Sequence, residues 1–200
     1  DAHFERIEPA PEHRFALQQR LGLRRPFLMY TAGDDERKNV PALISAYALL
    51  PSAIRAQHQL LIICHGTIQM RQKLLRHAAA SDMADDELVL LSEFVADDDL
   101  IALYSSCRLF VFPSLHEGFG LPVLEAMACG APVIASNTTS LPEVVGRADA
   151  LFDPRRPHDI AAAIAHALGD EDVLQSLRDS APVQVAKFSS DNTAQRALDA

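Results

Sequence analysis

Short apolar runs alternate with segments of helical periodicity along most of this 200-residue chain. The apolar runs are rich in aliphatic and aromatic residues and predict strands at 26–32, 59–64, 88–91, 108–112, 132–136 and 150–152. The segments around them predict helices at about 12–21, 40–50, 67–80, 97–106, 121–129, 140–145 and 157–168. Nearly continuous apolar strands separated by helices are typical of a parallel sheet covered on both faces. We therefore expect an α/β fold built on a doubly wound parallel sheet.

In such a sheet, ligands bind beyond the carboxyl ends of the strands, where the chain leaves each strand for a helix. The loops of interest are therefore 33–39, 65–67, 92–96, 113–120 and 136–140. The remaining segment, 170–200, predicts one or two further helices with a break near Pro182 and the sequence FSSDN.

The composition fits one globular domain, or two small ones, because 48 % of the residues are hydrophobic. No apolar run approaches the roughly 18 residues of a membrane span, and the first residues lack the pattern of a secretory signal. Cys64, Cys107 and Cys129 are odd in number and lack metal-ligand spacing, which favours reduced thiols in a cytoplasmic protein. The net charge of −9 argues against nucleic-acid binding, so any anion site must be local.

A glycine-rich turn follows the strand predicted at 108–112, in the sequence FPSLHEGFGLPVLEAMAC. Gly118 and Gly120 allow backbone angles that other residues resist, so that successive N–H groups can converge on one ligand oxygen. Pro122 suits the first turn of a helix, and the amino end of a helix attracts phosphate. The sequence therefore predicts an anion site at 118–121.

Two glutamates stand eight positions apart around this turn, Glu117 before it and Glu125 in the apolar helix after it. A helix that is apolar almost all round is expected to be buried. A carboxylate in it is costly unless it is hydrogen-bonded, and two adjacent hydroxyls of a ribose would satisfy both oxygens. The alternatives are a backbone N–H or an arginine as partner for Glu125, and a solvated position for Glu117.

A basic pair, Arg37 and Lys38, follows the first predicted strand directly ahead of a helix. Such a pair is often only a solvated turn. At the carboxyl end of a strand, however, two cations can neutralise the charge that grows on a leaving diphosphate.

Other polar clusters are expected to be structural. The aspartates at 97–99 suit an N-cap and the positive end of a helix rather than a metal site, and no metal is expected. Ser140 and Glu143 fit a capping box, with the serine at the cap and the glutamate three residues on. His116 is the one histidine beside the predicted site.

The residues resemble a known family at this point. EGFGLPVLE matches the E-x7-E signature of retaining glycosyltransferases of family 4, which have the GT-B fold, and the chain is similar to their C-terminal, donor-binding, Rossmann-like domain from about residue 26 to about 190. The longest matching stretch is FVFPSLHEGFGLPVLEAMACGAPVIASNTTSLPEVVG, and YTAGDDERKNV and DLIALYSSCRLF precede it at the expected places.

The resemblance implies roles for the residues of the turn. Glu117 would lie beside the donor sugar, and Glu125 would hold the ribose hydroxyls. The basic pair would face the diphosphate. The N–H groups that would meet the sugar hydroxyls and the diphosphate belong to Gly118, Phe119, Gly120 and Leu121.

The chain departs from the family pattern in two places. Ala32 stands where a glycine is commoner. In the segment SEFV, residues 92–95, Glu93 replaces the glycine of the loop that lies near the nucleobase in relatives. Base recognition is the least determined property of the predicted site, with Val95 as the residue expected to contact the donor.

The resemblance also implies a division of the chain into a linker and short helix (1–25), a nucleotide-sugar-binding domain (26–188) and a C-terminal helix (189–200) that crosses back to an N-terminal domain. That absent domain would hold a glycan or lipid-linked acceptor, and the full-length enzyme could associate peripherally with the inner face of a membrane. The donor would be a nucleotide-diphosphate sugar with no further cofactor, and the RKN and SLPEVVG segments favour GDP-mannose. Two alternatives are a non-catalytic nucleotide-sugar-binding module and a dinucleotide-dependent oxidoreductase, which lacks its G-x-G-x-x-G turn here.

Overall fold

A computed structural model describes residues 10–33 and 35–188, and within these residues six strands alternate with nine α-helices. The strands are β1 (Phe27–Gly33), β2 (Gln59–His65), β3 (Leu88–Leu91), β4 (Leu109–Phe112), β5 (Val133–Ser136) and β6 (Leu151–Phe152). The helices are α1 (Pro11–Leu21), α2 (Val40–Ala48), α3 (Ser52–Gln57), α4 (Ile68–Ala80), α5 (Asp97–Ser106), α6 (Leu121–Ala128), α7 (Leu141–Val145), α8 (Pro157–Gly169) and α9 (Glu171–Ala186). No helix of the described residues is long and apolar enough to cross a membrane.

The six strands form one sheet in the order β3-β2-β1-β4-β5-β6, and every neighbouring pair is parallel. The prediction of a doubly wound parallel sheet is confirmed. The chain order runs outward from β1 in one direction and outward from β4 in the other. A ligand of such a sheet binds in the crevice at this reversal, beyond the carboxyl ends of the two strands.

The strands in the middle of the sheet are buried on both faces, as their continuous apolar sequences predict. All residues of β4 and β5 are buried, and so are all of β2 except His65 at its carboxyl end. Helix α2 packs against α4 and α8, while α6 packs against α5, α7 and α9. The core is therefore continuous through both helical layers, and polar groups collect at the strand ends.

Helix α3 was not predicted, because its sequence, SAIRAQ, has no apolar periodicity. Tertiary contacts from Arg55 stabilise this helix. The guanidinium group donates to both carboxylate oxygens of Glu87, at 2.9 and 2.7 Å, and to the carbonyl of Ala48 at 3.1 Å.

The predicted break near Pro182 is wrong, since α9 continues through this residue to Ala186. A proline inside a helix removes one hydrogen bond. Here the buried face of Leu174, Leu177 and Ala181 packs on the core and outweighs that loss. The predicted C-terminal helix at 189–200 and the first part of the predicted linker lie outside the described residues.

Candidate functional site

A lysine and a glutamate meet at the carboxyl edge of the sheet, from the loops after β1 and β4. Lys38 ends a short 3-10 turn, and Glu117 lies in the loop that leads to α6. Lys38 Nζ is 2.7 Å from Glu117 Oε1, and the side chains are only 18 % and 10 % exposed. Nζ also lies 5.6 Å from the centre of the Phe112 ring, within the range of a cation–π contact. Because the strand order reverses between β1 and β4, this sheltered ion pair stands in the crevice where such sheets bind ligands.

A row of aromatic rings runs beneath the pair. Phe110 and Phe112 lie on the same side of β4, since alternate residues of a strand share a face, and their ring centres are 6.0 Å apart. Tyr30 of β1 stacks on Phe112 at 5.9 Å, and Tyr104 of α5 meets Phe110 edge-on at 5.4 Å. The Tyr104 hydroxyl donates to Glu125 Oε2 at 3.1 Å. The row therefore joins the place where Lys38 and Glu117 meet to the second glutamate.

The Tyr30 hydroxyl is buried and forms no hydrogen bond within residues 10–33 and 35–188. Burial raises the pKa of this phenol well above its usual value, and the nearby Cys64 and Glu117 groups raise it further. Tyr30 is therefore a neutral side chain in the middle of β1.

Glu125 lies on α6 and is half-buried. Burial raises the pKa of its carboxyl group, although the hydrogen bond from Tyr104 lowers it. The sequence left the partner of this glutamate open, and the structure provides a tyrosine hydroxyl. The helix itself is less buried than predicted, because Leu121 in its first turn is 60 % exposed while Val123, Ala126 and Met127 are buried.

The glycine loop ends at Gly120, which needs to be glycine for two reasons. Its φ is +100°, in the left-handed region, and a Cβ would lie 2.7 Å from the Leu141 side chain. Gly118 has no positive φ, and a Cβ there would meet no atom within 4 Å, so the expected conformational role of this glycine is not seen. Phe119, between them, is exposed and meets the ring of Phe188 edge-on at 5.5 Å.

Two hydroxyl side chains after β5 hold the same loop, and the sequence did not reveal them. Thr139 Oγ1 accepts a bond from the Glu117 N–H at 3.0 Å. Ser140 Oγ donates to the carbonyls of Glu117 and Phe119 at 3.2 and 2.9 Å. The predicted capping box is wrong, because Ser140 has helical angles and makes no side-chain cap bond for α7, which leaves Glu143 exposed. The consecutive hydroxyl residues directly after a strand, at 138–140, were the available signal.

Arg37 does not share the environment of its neighbour Lys38. The Arg37 side chain is 57 % exposed, and its Nη2 is 2.7 Å from Asp35 Oδ2. Hydrogen bonds from the guanidinium and backbone N–H of Arg37 lower the pKa of Asp35 to about 2. Both members of the predicted basic pair therefore have an acidic partner within the protein.

Asn39 connects the loops that carry these groups. Its φ is +59°, and its side-chain amide donates to the carbonyls of Pro113 and Pro154, at 3.0 and 2.8 Å. The Arg37 carbonyl accepts bonds from Ser114 Oγ at 3.0 Å and from the N–H of residue 115 at 2.7 Å. The chain segments after β1, β4 and β6 are thus fixed to one another by hydrogen bonds.

The loop after β3 presents a pair of stacked rings. Phe94 is 80 % exposed, and its ring centre lies 6.3 Å from that of His65, at the end of β2. Val95 packs partly against the core, and Glu93 is exposed. His116 is also exposed and accepts a bond from a serine hydroxyl through its backbone carbonyl. The sequence drew attention to Val95 but missed the neighbouring aromatic pair.

The aspartates at 97–99 lie in the first turn of α5, at its positive end as predicted, but none caps the helix through its side chain. Asp99 instead pairs with Arg20 of α1, with 2.5 Å between Nη2 and Oδ2, and with His13 at 3.5 Å. These contacts attach α1 to α5.

The strand order, the glycine loop opening a helix and the charged pair at the reversal of strand order define a Rossmann-like α/β domain, the type of domain from which GT-B glycosyltransferases are built. Sucrose-phosphate synthase from Thermosynechococcus elongatus superimposes with a TM-score of 0.80 at 26 % identity, over 99 % of this chain and 49 % of that one. The C-terminal domain of a glycosyl transferase group 1 family protein from Francisella tularensis has the same fold, with a TM-score of 0.76 at 20 % identity, over 94 % of this chain and 96 % of that one.

The chain belongs to the family of glycosyl transferases group 1, because the sequence model of that family matches residues 14–184. The serotype-specific mannosyltransferase WbdA of Escherichia coli is 42 % identical over 98 % of this chain, and the O-antigen chain mannosyltransferase B of the same species is 39 % identical over 80 % of it. The matched segments make up 24 % and 39 % of those relatives, so this chain spans only part of their length. The predicted family and fold are confirmed.

Proposed function

We propose that this domain binds a nucleotide-diphosphate sugar at the carboxyl edge of its sheet and, in the full-length enzyme, presents the hexosyl group for transfer with retention of configuration. The observation that carries the proposal is the sheltered contact of Lys38 with Glu117 in the crevice between β1 and β4. Sheets of this strand order bind nucleotides at that place.

The proposed donor is GDP-mannose. Two relatives that share at least 39 % identity with the chain are named mannosyltransferases. The sheet of HepE from Anabaena, whose structure contains UDP and glucose, superimposes with a TM-score of 0.82, and at 20 % identity this likeness concerns the fold alone. Mannose is therefore proposed as the donor sugar from the more similar sequences. Guanine is proposed as the base because the chain resembles family members that build surface polysaccharides, many of which use GDP-mannose.

Lys38 and Arg37 are proposed to stabilise the leaving group. During transfer the bond between the anomeric carbon and a phosphate oxygen breaks, and a bond to the acceptor hydroxyl oxygen forms as that hydroxyl loses its proton. Negative charge grows on the nucleoside diphosphate, and a cation near it stabilises the transition state more than the ground state. Each cation would exchange its present carboxylate, Glu117 or Asp35, for phosphate.

The glycine loop and the two glutamates are proposed to hold the rest of the donor. The loop N–H groups at 118–121 and the start of α6 would face the diphosphate and sugar hydroxyls. Glu117 would lie beside the donor sugar, and Glu125 would accept hydrogen bonds from the ribose hydroxyls. Val95 is proposed to contact the base.

The acceptor is proposed to be a glycan or a lipid-linked sugar held by a part of the enzyme outside this chain. The chain spans 24 % of WbdA, which leaves most of that relative's length for other units. Transfer activity is accordingly a property to be tested on the full-length enzyme, and donor binding on this domain.

The test is thermal unfolding of this chain with GDP, UDP, ADP and their common sugar conjugates. A ligand at about one hundred times its dissociation constant stabilises the folded state by roughly 2.7 kcal/mol, which raises the melting temperature of a domain of this size by about 5–11 °C. We expect GDP and GDP-mannose to give the largest shift.

Two variants and two matched controls locate the site. Glu125→Ala and the double variant Arg37→Ala/Lys38→Ala should abolish the shift. Glu171→Ala removes a carboxylate from the start of α9, and Lys73→Ala/Arg76→Ala removes one lysine and one arginine from the exposed face of α4, so both should retain it. A larger shift with UDP would replace the proposed base. If no nucleotide shifts the melting temperature of this chain or the full-length enzyme, the proposal is wrong.

A further inference from the structure

Tyr104 contacts Glu125 from a position that no ligand could reach. Its side chain is fully buried in α5, its ring meets Phe110 edge-on, and its hydroxyl donates to Glu125 Oε2 at 3.1 Å. Phe110 lies on β4, the strand that delivers the glycine loop. The tyrosine is therefore fixed to the same strand that carries the other half of the site.

A single hydrogen bond from a hydroxyl group orients a carboxylate and leaves it able to accept further hydrogen bonds. An ionised carboxylate has about four lone-pair positions, so one bond to Oε2 leaves acceptor capacity for two ligand hydroxyls. A glutamate on a half-exposed helix face otherwise samples several rotamers, and fixing one of them before binding reduces the entropy that a ligand must overcome.

We propose that Tyr104 is a positioning residue that holds the Glu125 carboxylate toward the two adjacent hydroxyls of a ribose, and so gives the site its preference for ribonucleotides. This inference rests on the proposed nucleotide-sugar function and adds the residue that sets its sugar selectivity. Tyr104 touches neither the nucleotide nor the reacting atoms.

Among the described residues around Glu125, the Tyr104 hydroxyl is the hydrogen-bond donor that favours the ionised carboxylate. Burial raises the pKa of Glu125, the charge of Asp97 on α5 raises it as well, and the Tyr104 hydroxyl lowers it. Cys129, one turn further along the chain, has its own pKa raised to about 12 by burial and by Glu125, so it is a neutral thiol. Loss of the tyrosine hydroxyl should therefore raise the pKa of Glu125 further.

The experiment compares Tyr104→Phe with a matched control, Tyr47→Phe. Tyr47 is equally buried, and its hydroxyl donates to the carbonyl of His58 at 2.8 Å, at the amino end of β2 and away from the site. Dissociation constants for GDP, 2′-deoxy-GDP, UDP and 2′-deoxy-UDP are measured by calorimetry on wild type, Tyr104→Phe, Tyr47→Phe, Glu125→Gln and Tyr104→Phe/Glu125→Gln.

We expect Tyr104→Phe to weaken the ribonucleotide by about 5- to 10-fold and its deoxy form by less than about 2-fold, consistent with the net contribution of one ordinary hydrogen bond. Tyr47→Phe should weaken neither, and the hydroxyl should have no effect once Glu125 is changed to Gln. Equal weakening of both nucleotides, or none of either, would overturn the inference.

A second measurement needs no nucleotide. In protein labelled with ¹³C at glutamate side chains, the titration of Glu125 should move to higher pH in Tyr104→Phe and stay in place in Tyr47→Phe. An unchanged titration overturns the positioning role even if no nucleotide binds. A shifted titration in a protein that binds no nucleotide refutes the proposed function while the contact stands.

Discussion

The ion pair of Lys38 with Glu117 is the feature whose removal tests the site most directly. The variants are Lys38→Met, Glu117→Gln and the two together, which keep the side chains similar in length. Both groups are largely covered, at 18 % and 10 % exposure, with 2.7 Å between the charged atoms. Removing one partner leaves a sheltered charge without its counter-ion.

The magnitude lies between two known limits. Exposed pairs contribute about 0.2–1 kcal/mol, and removing one partner of a fully buried pair costs about 3–5 kcal/mol. For this partly covered pair we expect each single variant to lose about 1–3 kcal/mol, and the double variant to lose about 1–2 kcal/mol less than their sum.

The assay is urea denaturation at neutral pH and low salt, with unchanged m-values as the condition for comparing midpoints. The control cycle uses Arg155 and Asp153, which are 70 % and 34 % exposed with 3.8 Å between their charged atoms. Its coupling should stay below about 0.5 kcal/mol. A coupling for Lys38 and Glu117 no larger than this control refutes the reasoning from burial.

The same variants distinguish the role of Lys38 from that of Glu117 when GDP binding is measured. If the diphosphate takes Lys38 from Glu117, then Glu117→Gln frees the lysine beforehand and should tighten GDP binding by about 3- to 10-fold, while Lys38→Met should weaken it by about 10-fold or more. Weaker binding by Glu117→Gln would show that the lysine does not leave the carboxylate.

Two further predictions concern stability. Gly146→Ala should destabilise the fold by about 1–3 kcal/mol, because φ is +72° and the new Cβ would lie 2.4 Å from the Gln184 side chain, whereas Gly169→Ala, with open space and no positive φ, should cost less than about 0.5 kcal/mol in the same denaturation assay. Burial raises the pKa of Glu87, but the hydrogen bonds from Arg55 and from the Ala84 N–H, together with the charges of Arg55 and Arg25, outweigh it and the net shift is downward. The stabilisation from this carboxylate is therefore present above its unfolded pKa of about 4.3 and is lost as the pH falls through the lower folded value. The stability difference between wild type and Glu87→Gln should be constant near pH 7 and shrink below about pH 4; a difference independent of pH would contradict it.

The sheet was predictable because burial on both faces leaves a sequence mark. Apolar runs such as LFVF in β4 have few alternatives to a central strand, and their alternation with helices determines the parallel order. The half-buried setting of Glu125 was predictable for the same reason, because it is a charge in an apolar sequence. In both cases the signal was local to a few consecutive residues.

The hydrogen bonds that shape the glycine loop left no such mark. Ser140 bonds to carbonyls 23 and 21 residues earlier in the chain, and each bond depends on how β4 and β5 lie side by side. The local pattern S-x-x-E has the spacing of a capping box, and the tertiary contact took the hydroxyl instead. Arg37 shows the converse, since its partner, Asp35, is only two residues away in the sequence. This local ion pair was overlooked because Arg37 was interpreted as a ligand for a diphosphate.

The eight-residue spacing of the two glutamates acquires its meaning from β4. Glu117 lies in the loop after β4 and accepts a hydrogen bond from Lys38. Glu125 lies in α6 and accepts one from the hydroxyl of Tyr104. Phe110 and Phe112 fix the distance between these two environments, because one ring supports Tyr104 and the other lies under Lys38. Glu117 lies beside the charged amine of Lys38, which could instead bind a phosphate. Glu125 has only the neutral hydroxyl of Tyr104 as a donor among the described residues and can still accept hydrogen bonds from other hydroxyl groups. Under the proposed function, the two glutamates would therefore contact two different parts of one ligand.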